Sequence, residues 1–144
     1  MRTLIRITIS LAALTVVLHM AGCGNDPTPA TGAEKATKLL TAATWSTQGV
    51  TVDGTSSTIY NDLQVTFSAT GFTATNGGSV WPASGTWNFT DDTGKTMVRG
   101  DGLTILVTEL MSTKVVMGLT WSKTTLGGGR SESVSGQHVF TFGK

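Results

Sequence analysis

The spacing of hydrophobic positions changes from segment to segment along this chain, and each spacing predicts a different element. From Ile7 to Leu18 the chain is largely apolar, and from Asn25 to Glu34 apolar positions nearly vanish. Ala36, Leu39, Leu40 and Ala43 then fall at i, i+3, i+4 and i+7, a single stripe on one helix face. From Trp45 onward, apolar residues alternate with Thr, Ser and Asn, the period of a half-buried strand.

The stripe predicts a short helix ending near Ala43. Thr31 can cap it, and Glu34 three residues on completes a capping box. The alternating part reads as eight short strands. Thr44 to Val52 stops at the turn pair Asp53-Gly54. Leu63, Val65 and Phe67 face one way, and Phe72 and Ala74 follow after Thr70-Gly71. Trp87 and Phe89 precede Asp91-Asp92-Thr93-Gly94. Thr96 to Arg99 and Leu103 to Leu110 flank Gly100-Asp101-Gly102. Val115, Met117, Leu119 and Trp121 mark the next strand, and Phe140 and Phe142 the last. Short strands at even spacing predict an all-β, antiparallel up-and-down meander, closed as a barrel or packed as a sandwich. Thr124 to Gly136, with Gly127-Gly128-Gly129, reads as a long polar loop.

Before the helix, Arg2, Arg6, the apolar run and Ala21-Gly22 follow the order of a secretory leader. A retained membrane helix is the alternative reading, but spanning a bilayer takes about 20 mostly apolar residues. Here the run is bounded by Arg6 and His19. Cys23, the only cysteine in the chain, follows Met20-Ala21-Gly22 in the position of a lipobox, with Met20 where leucine is preferred. The expectation is cleavage before Cys23 and acylation of it, so that the lipid holds the protein at a membrane. Gly24 rather than Asp follows the cysteine, which points to the outer membrane, with its periplasmic and surface faces both open. Residues 1–22 are then a lipoprotein signal peptide, 23–33 a flexible tether with Pro27 and Pro29, and 34–144 one β-domain.

Charge narrows the partners. The chain carries +1 over its 144 residues, and turns slightly negative once Arg2 and Arg6 leave with the leader. Nucleic acid is not an expected partner. His138 is the single histidine beyond the leader, too few for a histidine-based metal centre. Asp and Glu stand mostly beside glycine, where they favour turns; Glu109, within a hydrophobic strand, fits an edge or a solvent face. The Gly127–Gly129 run lacks the Lys-Ser/Thr of a phosphate loop. Without a nucleophile–base arrangement the chain is not read as an enzyme, and no cofactor or metal is expected.

Taken in order, several pieces carry a family likeness: Trp45, Val52-Asp53-Gly54, and Val65-Thr66-Phe67-Ser68-Ala69-Thr70-Gly71-Phe72. Gly85-Thr86-Trp87-Asn88-Phe89 and the stretch from Val107 to Met117 complete the set. Together they resemble the lipocalin-like lipoproteins common in Bacteroidetes, over about Leu39 to Phe142. The resemblance implies that the meander closes into an eight-stranded lipocalin-like barrel behind a short N-terminal helix. The chain departs from lipocalins proper in having Ala43-Thr44-Trp45 where they have Gly-x-Trp. Its last strand has no arginine to stack over that tryptophan, one cysteine excludes their usual disulfide, and there is no C-terminal helix.

A barrel of this size is either filled by side chains or holds one small ligand. Trp81-Pro82 lies between Gly77-Gly78 and Gly85, so the Trp81 ring is a candidate for the rim, together with Tyr60 and Trp121. Its other reading is a ring that caps the barrel end. Rim aromatics suit apolar or sugar ligands. Phe72, Trp87 and Met117 complete the candidate ligand-binding set from inward positions that equally suit a core. Two functions follow: a lipid-anchored envelope protein binding a small apolar or amphipathic ligand in the barrel mouth, or a structural or protein-interaction lipoprotein with a filled barrel. An apolar cavity of about 300 Å³ or more separates them.

Overall fold

The computed structural model describes residues 28–127 and 130–144. The leader, Cys23 and most of the tether lie outside the described residues. Helix α1 spans Gly32–Leu40, and its N-terminus carries the capping box the sequence predicts. The Thr31 hydroxyl accepts from the Glu34 N–H at 3.1 Å, and the Glu34 carboxylate accepts from the Thr31 N–H at 2.8 Å. Ala36 and Leu40 are buried. The helix stops short of Ala43 because Thr44 must already be extended to pair with Thr66. The Leu40 carbonyl, left without a helical partner, accepts instead from the Trp45 indole N–H at 2.8 Å.

The strands are β1 (Thr44–Val52), β2 (Thr55–Ser56), β3 (Gln64–Phe67), β4 (Gly71–Thr75), β5 (Ser84–Phe89) and β6 (Thr96–Arg99). They continue with β7 (Thr104–Leu110), β8 (Lys114–Trp121), β9 (Thr125–Gly127), β10 (Arg130–Ser133) and β11 (Gly136–Gly143). All neighbours are antiparallel, in the order β11-β8-β7-β6-β5-β4-β3-β1-β2, and β11 pairs back onto β1. That pairing, from Ser46↔Gly143 to Val52↔His138, closes an eight-stranded barrel and leaves no sandwich. Strand β2 is an addition beyond it. It folds back on β1 through Asp53 and Gly54, both at positive φ (50° and 79°), the left-handed geometry that makes Asp-Gly a hairpin pair.

The segment read as a polar loop, Thr124 to Gly136, instead carries a separate hairpin of β9 and β10. Its residues are polar or glycine nearly throughout, so no apolar alternation marks it in the sequence. In the barrel strands the alternation reads directly as in and out: β3 is exposed, buried, exposed, buried, and β7 begins the same way. Because the meander is antiparallel, the β3–β4, β5–β6 and β7–β8 turns share one end of the barrel with α1. The β1–β3, β4–β5, β6–β7 and β8–β11 connections share the other end, the mouth.

Candidate functional site

The three aromatics read as rim residues all lie at the mouth end of the meander, but two of them turn inward. Tyr60 is fully buried and Trp81 is 1 % exposed. Trp81 reaches the interior because residues 77–81 close a tight turn, with Gly78 at a positive φ of 56° and the Trp81 N–H donating to the Gly77 carbonyl at 3.0 Å. A side chain at 77 would start 2.3 Å from the Trp81 Cβ, so only glycine permits that turn. Once inside, the Trp81 ring stands edge-to-face against Phe67, Phe72, Phe140 and Phe142, at centroid distances of 5.6 to 6.3 Å. It therefore ties β3 and β4 to β11 across the barrel. Trp81 is thus a plug of the barrel end, not an open rim platform, and its indole N–H finds no hydrogen-bond partner among the described residues. Trp121 stays half-buried at the mouth, and its buried N–H also has no partner among the described residues.

The remaining candidates are core. Met117 is fully buried and Phe72 is buried beneath the mouth. Trp87 faces the opposite end, where its indole N–H donates to the carbonyls of Ser68 (3.1 Å) and Gly71 (3.0 Å). The candidate binding residues therefore belong to one contiguous packed cluster, with Trp121 against its edge.

Two polar groups inside the mouth escaped the sequence reading. Arg99 is buried, donates to the Val80 carbonyl and forks onto Asp101, with Nε to Oδ1 at 3.1 Å and Nη2 to Oδ2 at 2.5 Å. Its guanidinium carbon lies 5.6 Å from the Trp81 ring centre and 5.8 Å from that of Phe72. The hydrogen bonds from Arg99 hold the Asp101 carboxyl below its ordinary pKa. The signal was available: Arg99 shares strand parity with buried Met97. The second group is His138, fully buried against Tyr60. At the helix end, Lys144 Nζ lies 5.2 Å over the Trp45 ring. A cation therefore stacks on the Trp45 ring at that end.

The well-formed clefts open outward. One of about 300 Å³ sits at the mouth beside Arg99, Phe72 and Gly85. Another, of about 350 Å³, lies on the outside of β7, β8 and β11 around Gly118. Its walls are Leu106, Thr104, Thr120, Gln137 and Val139, with no charged side chain. Among the described residues no group of three His, Cys, Asp or Glu is placed to hold a metal ion. No helix of the described residues is long and apolar enough to cross a membrane. No protein-family model matches the chain, and no curated protein matches it significantly.

Proposed function

We propose that this chain is a lipid-anchored, lipocalin-like cell-envelope module. Its barrel is solid, and it works through its outer surface on a protein partner rather than by carrying a small molecule. One observation carries the reading: Trp81 and the four phenylalanines around it occupy the space where a ligand would lie. The order of Arg2, the apolar run, Ala21-Gly22 and Cys23 supports anchoring at the outer membrane through Cys23. The small-ligand reading keeps one foothold, the cleft beside Arg99, where Phe72 and Pro82 offer an apolar wall to an amphipathic molecule.

The test is thermal melting of the purified full-length protein against a panel of fatty acids, isoprenoids and amphipathic sugars. A solid barrel predicts no dose-dependent rise. A saturable rise with any of them, which binding to the native state must produce, overturns the reading in favour of a ligand carrier. For the anchor, Cys23→Ser is expected to move the protein out of the membrane fraction and leave its β-structure intact by circular dichroism. Unchanged fractionation would remove the lipidation claim.

A further inference from the structure

We infer that the outer face of β7 and β8 docks a second copy of this chain across a two-fold axis. The inference rests on the surface-module reading above and names the partner. Leu106 is 51 % exposed on the outer face of β7. Its register partner on β8 is Gly118. A Cβ on Gly118 would meet only the His138 carbonyl, at 3.9 Å, so the missing side chain leaves a hollow, the cleft of about 350 Å³. An apolar knob and an empty hole thus stand side by side on neighbouring antiparallel strands.

This juxtaposition is self-complementary. A two-fold axis running midway between β7 and β8, parallel to both, exchanges the two positions across the interface. Leu106 of each copy then stands over Gly118 of the other. Such an isologous contact closes on itself as a dimer. Charge agrees: the cleft is lined by no Lys, Arg, Asp or Glu, so two copies meet without like-charge repulsion. A partner recognised by charge gains nothing there. Strand addition is excluded as well, because β7 and β8 are paired on both sides and present no edge.

The axis also suits two anchored chains. Rotation about a line parallel to the strands leaves α1 of both copies at the same end, so both N-termini can reach one membrane. Barrels are convex, so the contact is a seam rather than a broad face. A seam is expected to be narrower than the roughly 1,600 Å² of a standard interface, so sharing one membrane plane or one micelle strengthens the dimer.

The experiment uses full-length chains in cells. One tagged copy carries Leu106→Cys and a second, differently tagged, carries Gly118→Cys. A thiol crosslinker spanning about 10 Å, the spacing of packed sheets, should join the two tags at least fivefold above a pair in which Asn88→Cys replaces Leu106→Cys. Cys23 is common to both arms and cancels. Gly118→Leu, whose Cβ meets only the His138 carbonyl at 3.9 Å, fills the hollow and should abolish the dimer seen by sedimentation in detergent while leaving the melting temperature unchanged. Crosslinking no better than the Asn88→Cys pair, or sedimentation unaffected by Gly118→Leu, overturns the proposal. Either failure leaves the solid-barrel reading standing, since that falls only to a small molecule that raises the melting temperature.

Discussion

The Tyr60 hydroxyl lies 3.3 Å from Nε2 of His138, and both side chains are sealed from water. Nδ1 of His138 is 3.1 Å from the Gly136 carbonyl, which can only accept. The proton therefore sits on Nδ1, and Nε2 accepts from Tyr60. Phe140 stacks on the imidazole within 10° of parallel, at 5.7 Å. The mouth is thus closed by a neutral histidine held in one tautomer.

Burial lowers the pKa of His138 from its ordinary 6.5, against weaker raising effects from Gly136 and Asp53. The unfolded chain then binds a proton more readily than the native one, so the associated stability is present above about pH 6.5 and lost as pH falls from there through the lowered native pKa. The melting temperature should drop on acidification from pH 7 to pH 5. His138→Phe keeps an aromatic ring and cannot titrate, so it should flatten that dependence. An undiminished slope in the variant would place the titrating group elsewhere.

Trp81 joins opposite walls of the barrel, and no neighbouring ring can replace it. Trp81→Ala should cost about 3–5 kcal/mol by chemical denaturation, the range for emptying a core aromatic site. Trp81→Phe, which keeps the apolar contacts and deletes an unpaired N–H, should cost clearly less. Equal losses would mean that packing against Trp81 is not what closes the mouth.

Gly77→Ala puts a Cβ 2.3 Å from both the Trp81 Cβ and its carbonyl oxygen. The turn cannot yield without withdrawing the plug. A loss of about 1–3 kcal/mol is expected, with a change in tryptophan fluorescence that reports the displaced indole. Gly102→Asn, at a positive φ of 85° with nothing within 4 Å, is the mild control.

Asp101 is half exposed, but its partner Arg99 is buried. Asp101→Asn leaves that cation without its counter-charge. The expected loss is about 1–2 kcal/mol, since hydrogen bonds to charged groups are strong and solvent screens the exposed partner. The Arg99-linked stability should also fade in the wild type as acid protonates Asp101, whose pKa lies below the ordinary value, and should not do so in the variant. Urea melts at several pH values measure both.

Much of this architecture was legible along the chain. Thr31 and Glu34 announce the helix start, Asp53-Gly54 the first hairpin, and the alternation through Leu63, Val65 and Phe67 the inward face. These features depend on residues a few positions apart, and the chain displays them directly. The β9–β10 hairpin did not show because its residues lack apolar alternation. The inward turn of Trp81 did not show because it follows from a tight turn permitted by Gly77, four residues earlier.

Read alone, the chain settles the helix, the strand parity and the turn points, since all are local in period or order. Closure belongs to another level. The β1–β11 pairing, the Tyr60–His138 contact across 78 positions and the Trp81 plug join segments that share no pattern in the sequence. Rim and plug require the same residue types at the same places, and packing across the barrel made Trp81 and Tyr60 the plug.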